Sequence, residues 1–158
     1  MQLLTIDTAQ ATLAPMATTG TKSSRFDAAD DELVKRAVEV RAHAYSPYSK
    51  ILVGAALRAA DGRIFTGCNV ENASFGMTWC AERTAIVKAV SEGAREYTAM
   101  AITTSLPHAL MPCGACRQVL FEFAPNLRII VAGADGTRYE TFLEDLLPEA
   151  FGPSDLSQ

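Results

Sequence analysis

Through residues 31–44 the apolar positions Leu33, Val34, Ala37, Val38, Val40 and Ala44 recur at a spacing of three to four, which predicts a helix capped by Asp30 and Asp31. Pro47, in the run YSPYSK, ends that pattern. Residues 51–58 are densely apolar, 60–63 (ADGR) supply a turn and 64–70 resume the apolar run, so a β-hairpin is predicted. Asn69, Glu71 and Asn72 crowd polar groups where its second strand ends. Helix formers fill 81–90, with Gly93 beyond to stop the helix. Residues 98–104 read as a buried strand, 113–123 as a helix broken before Pro125, and 128–132 as a further strand. Strand, helix, strand in that order predicts a parallel pair joined by a right-handed crossover. A turn at 134–137 leads to a short strand at 138–141 and a last helical turn over 142–147. Residues 1–28, rich in Thr, Ala and Ser without either period, predict a flexible tail and leave 29–158 as the folded domain.

Composition narrows this picture. A chain of 158 residues with 49% hydrophobic and 20% charged residues fits one globular domain. No apolar run reaches the roughly 20 residues that a bilayer requires, so no membrane partner is expected. A net charge of −4 without clustered Lys and Arg argues against a nucleic-acid partner, which needs several phosphates neutralised. The first twenty residues hold no Lys or Arg, and Asp7 interrupts their one apolar start, so no secretory leader is expected. In a reducing cytoplasm, grouped cysteines point to metal binding or catalysis rather than to disulfides.

Three of the four cysteines are grouped around predicted helix starts: Cys80 ahead of 81–90, and Cys113 and Cys116 in PCGAC. Two residues between thiols let both reach one ion from a first helical turn. The C-x-x-C alone is equally a redox motif, but a redox pair needs only two thiols, and Cys80 supplies a third. Cys68 would close a purely structural four-thiol site; its place in an apolar strand favours a buried small hydrophobe instead. Three ligands leave a position open for water, which zinc acidifies from a pKa of 15.7 to about 7. Helix N-termini favour the thiolates' negative charge, and Arg83, three residues after Cys80, is placed to donate to sulfur. Glu82, unpaired beside such a site, is placed to take a proton from the water and hand it on.

The pattern C-x-E followed by P-C-x-x-C resembles the zinc nucleoside and nucleobase deaminases. With CNVENASF, CAERTAIVKAVSEG, PCGACRQVL and LLPEAFG in order from about Asp31 onward, the chain resembles the small free-nucleoside cytidine deaminases. The resemblance implies a three-layer α/β/α fold with a mixed five-stranded sheet, and a homotetramer whose sites are completed by neighbouring subunits. It implies zinc (Zn2+) on Cys80, Cys113 and Cys116, Glu82 as proton shuttle and Arg83 steadying the thiolates. Asn69 and Glu71 would grip ribose hydroxyls, with Val70 between them, the backbone around Ala81 would meet the pyrimidine carbonyl, and Phe151 would reach the base bound in another subunit. Two positions depart from the usual pattern: Ile51 replaces an aromatic after PYS-x, and Met111 replaces a Ser before Pro112, both on the substrate side. A deaminase for another aminopyrimidine, such as blasticidin S, and a non-enzymatic zinc module are the rival readings; the NVEN sugar motif opposes the first and Glu82 the second.

Overall fold

The computed structural model describes residues 26–156. Helix α1 (Ala28–Arg41) leads into the hairpin β1 (Val53–Ala59) and β2 (Ile64–Cys68). Then come a 3₁₀ turn at Phe75–Met77, α2 (Ala81–Ser91), β3 (Tyr97–Thr104), α3 (Gly114–Phe123) and β4 (Arg128–Ala132). The chain closes with β5 (Arg138–Phe142) and the short helices α4 (Leu143–Leu146) and α5 (Pro153–Leu156), the last of which the sequence pattern had not indicated. The five strands form one mixed sheet in the order β2-β1-β3-β4-β5, with β3 and β4 parallel and all other pairs antiparallel. The parallel pair brackets α3, as the strand, helix, strand pattern implied.

Alternation along the central strands sorts the core into two layers. Ala55, Leu57, Met100, Ile102, Ile129 and Val131 face α2 and α3, where they pack on Ala85, Ile86, Ala89 and Leu120. Ala56, Ala99, Ala101, Ile130 and Ala132 face Leu33, Val34 and Ala37 of α1. The alanines on this second face let α1 lie close to the sheet. At Gly54 a Cβ would stand 2.0 Å from the Ala37 carbonyl oxygen, and at Gly67 one would stand 2.5 Å from the Ala85 nitrogen of α2. Both helices therefore touch strand backbone, a separation only glycine permits.

The start of α1 corrects the sequence expectation. Its N-cap is Asp27, which accepts from Asp30 N at 2.9 Å while the Asp30 carboxylate receives Asp27 N at 3.3 Å, a capping box. Residues 26–28, assigned to the tail, thus belong to the folded unit; the rest of that tail, 1–25, lies outside the described residues. Asp30, predicted as a cap together with Asp31, is only 1% exposed and is paired with Arg128 at 2.6 and 2.8 Å. Val38, read as apolar face, points outward.

Candidate active site

Two helix starts converge on one spot. Cys80 is the N-cap of α2 and Cys113 the N-cap of α3, both with extended backbone, and Cys116 is buried in the first turn of α3. Neither thiol makes a capping hydrogen bond to its helix backbone. Sγ of Cys80 lies 3.9 Å from that of Cys113, which lies 3.5 Å from that of Cys116, and all three fall within 4.8 Å of one another. Tetrahedral zinc with Zn–S bonds of about 2.3 Å sets sulfurs roughly 3.8 Å apart, so the donor set fits zinc in both spacing and chemistry. Cys68, at the end of β2, is not among the clustered thiols, and burial pushes its own thiol up.

What holds the cluster together comes from several segments. Val70 exchanges two backbone hydrogen bonds with Trp79, each 2.9 Å, while Tyr45 N donates to Asn69 O and Glu71 N to Tyr45 O, at 3.0 and 2.8 Å. This small ladder ties Trp79, the residue before Cys80, to the 69–71 segment. On the other helix Arg117 Nε donates to Pro112 O and its Nη1 to Leu146 O, both at 2.7 Å, which anchors the approach to Cys113 on the end of α4. Sequence reasoning missed Tyr45, Trp79 and Arg117, because each acts through main-chain contacts or a distant carbonyl.

Electrostatics distinguish the groups. Hydrogen bonding from the Cys116 thiol, with help from Arg83 and Cys113 and against the cost of burial, lowers the Cys80 thiol to about 5; Cys116 is pushed up by the same bond. Arg83 Nη2 lies 3.5 Å from Cys80 Sγ and donates to Thr78 O at 2.7 Å, and its guanidinium sits 5.2 Å over the Trp79 ring. Glu82, in the first turn of α2, is only 5% exposed. Burial, followed by the negative charge on Cys80, raises its carboxyl to about 7, opposed by its own backbone N–H. A carboxyl poised near neutrality next to three thiols is suited to both accepting and donating a proton.

The other predicted residues differ in their exposure and in what they already bond. Ala81, fully buried, is the first residue of α2, where backbone N–H groups have no intrahelical partner. Asn69 is 8% exposed and its amide is already engaged, with Oδ1 accepting Val53 N at 2.8 Å and Nδ2 donating to Ile51 O at 2.9 Å. Glu71 is half-buried and accepts from the Tyr48 and Ser49 backbone; Val70, its backbone spent on Trp79, presents only its side chain. Ile51 is half-buried and Met111 exposed. Phe151 is 60% exposed and lines a surface hollow with Gln118, Glu122 and Leu156 that includes none of the clustered thiols.

Comparison with known proteins agrees with this geometry. Residues 27–132 match the family described as the cytidine and deoxycytidylate deaminase zinc-binding region. The cytidine deaminase of Sporosarcina psychrophila is 46% identical over 128 residues, covering 80% of this chain and 94% of its own, and that of Halalkalibacterium halodurans is 44% identical over 126, covering 79% and 96%. Among solved structures, the cytidine deaminase from Burkholderia pseudomallei superposes with a TM-score of 0.75 at 45% identity, covering 77% of this chain and 98% of that one. The three clustered thiols, the buried carboxyl near them and this extent of likeness have one common explanation, which is that the chain belongs to the cytidine deaminase family.

Proposed function

We infer that this chain catalyses the zinc-dependent hydrolytic deamination of cytidine and 2′-deoxycytidine to uridine and 2′-deoxyuridine plus ammonia, a reaction of pyrimidine salvage. The observation that carries it is Glu82, a buried carboxyl raised to about 7 beside three thiols spaced for zinc. Cys80, Cys113 and Cys116 would hold zinc, which when bound would supply an acidified water as the nucleophile. Glu82 takes a proton from that water and delivers one to ring N3 as C4 is attacked. It then carries the second proton to the departing amine, so ammonia leaves and the carboxylate is restored. Arg83 offsets the charge of the thiolates.

The substrate is held by Glu71 and the remaining Asn69 N–H on the sugar hydroxyls, with Val70 beside them, and by the Ala81 backbone on the base carbonyl. Ile51 faces the base with a branched aliphatic side chain that leaves more room than an aromatic would. The chain works as a cytoplasmic homotetramer in which Phe151 reaches a neighbour's site. Supporting an assembly, Tyr45, Tyr48, Val70, Phe75, Met77 and Trp79 are all exposed around the small ladder, and Tyr48 and Phe75 meet edge to face at 5.6 Å. The net charge of −4 suits a free nucleoside rather than a polynucleotide. No described helix is long and apolar enough to cross a membrane.

Purified protein incubated with cytidine, deoxycytidine and blasticidin S tests the reading by the ultraviolet change on loss of the amino group. Both nucleosides are expected to turn over. Glu82→Gln is expected to keep its zinc and lose on the order of 10² to 10⁴-fold in turnover; a variant retaining a tenth of wild-type activity places the proton shuttle elsewhere.

A further inference from the structure

Residues 51 and 52, just ahead of β1, are held mainly by side chains. Ile51 N donates to Ser49 Oγ at 3.1 Å and Leu52 N to Ser105 Oγ at 3.0 Å, while the Asn69 amide takes Ile51 O. Ser49 alone of these partners also bonds Glu71, its hydroxyl reaching Oε1. The direction of that bond is determined. An amide N–H can only donate, so toward Ile51 the hydroxyl oxygen accepts, and its single proton goes to the carboxylate. Glu71 Oε2 meanwhile receives Tyr48 N at 2.9 Å and Ser49 N at 3.2 Å. An ionised carboxylate offers about four acceptor positions; the loop occupies three and leaves one on Oε1.

The loop is bent to make this possible. Lys50 has φ of +62°, a left-handed conformation unfavourable for a residue with a side chain, and it turns Ile51 N back onto the hydroxyl two residues earlier. Lys50 N donates to Ser46 O at 3.1 Å, closing the same turn. A strained residue persists where surrounding contacts over-determine it, and here the surrounding contacts are those of Ser49 and Glu71.

We propose that Ser49 is a positioning residue for the sugar end of the substrate: its hydroxyl clamps the Glu71 carboxylate so that one acceptor position is presented to a ribose hydroxyl. The proposal rests on the reading of Glu71 as the sugar contact. Ile51 keeps its carbonyl bond to Asn69 when the hydroxyl is removed, so the loss falls on Glu71 rather than on the base.

Steady-state kinetics with cytidine and with 2′,3′-dideoxycytidine, which has the same base without the two hydroxyls, test it on the zinc-loaded enzyme. Ser49→Ala raises KM for cytidine about tenfold, moves kcat and the dideoxycytidine KM by less than about twofold, and Ser49→Thr restores the cytidine value. Equal rises for both substrates, or none for cytidine, overturn the proposal. Glu71→Gln separates the two layers of inference. If it raises KM for cytidine selectively while Ser49→Ala does not, Glu71 keeps the sugar and Ser49 loses its role; if it changes neither KM, the sugar reading falls and the proposal with it. Should Ser49→Ala lack a cooperative melting transition, Ser49→Cys, of like shape with a weaker donor, carries the same test.

Discussion

Cys68 and Cys113 are the same residue type, each next to a helix or strand boundary, and only the position of the sulfur sets Cys113 inside the thiol cluster and Cys68 outside it. Metal content measured on purified variants is expected to stay near one zinc per chain in Cys68→Ala and to fall in Cys113→Ala; comparable loss in both would return Cys68 to the ligand set. The residue types at the site were legible from their spacing, since C-x-x-C at a helix start and C-x-E at another constrain what each side chain can reach. Their partners were not. Nothing local to Glu71 indicates that Tyr48 and Ser49 bind it across more than twenty residues, nor that Asn69 spends its amide on residues 51 and 53. Hydrogen-bond partners at that separation are chosen by how segments pack.

Among the elements, α1 shows most clearly how charge anchors a helix. Its Asp30 meets Arg128 of β4 through two bonds and Arg58 of β1 at 3.6 Å, and Arg128 also holds Glu140 of β5 at 2.7 Å. The Arg128 bond, opposed by burial, keeps the Asp30 carboxyl below its ordinary 3.8. A carboxyl depressed on folding contributes stability that is fully present above that ordinary value and is lost as pH falls through the lower folded one. Urea unfolding followed from pH 7 to pH 2.5 is therefore expected to show a loss below pH 3.8 that is smaller in Asp30→Asn. That variant, with Arg128 left short of a partner, is expected to be about 3 kcal/mol less stable at pH 7; a difference under about 0.5 kcal/mol would make the pair incidental. The sequence pattern located this helix by its apolar repeat but put the cap on Asp30, because Asp27 and Asp30 are equally good caps by type and only docking on the sheet decides which is buried.

For the molecule as a whole, the exposed apolar strip and the outlying Phe151 belong to one prediction. Sedimentation is expected to show a tetramer, and Phe151→Ala to raise KM for cytidine by up to about tenfold, since an aromatic contact is worth about 0.5 to 1.5 kcal/mol beyond burial. A fully active monomer defeats the shared site. By itself the sequence determined the order of the strands and of every helix but α5, the parallel crossover around α3, the three thiols and the carboxyl near them, because these follow from short-range periodicity, turn chemistry and ligand spacing. The tertiary structure alone decided that Cys80 and Cys113, 33 residues apart, meet at 3.9 Å, that α1 lies against Gly54, and that the 45–50 loop closes on Glu71. Each of these depends on where rigid elements come to rest against a shared sheet, which is a property of packed volumes and not of any local stretch of chain.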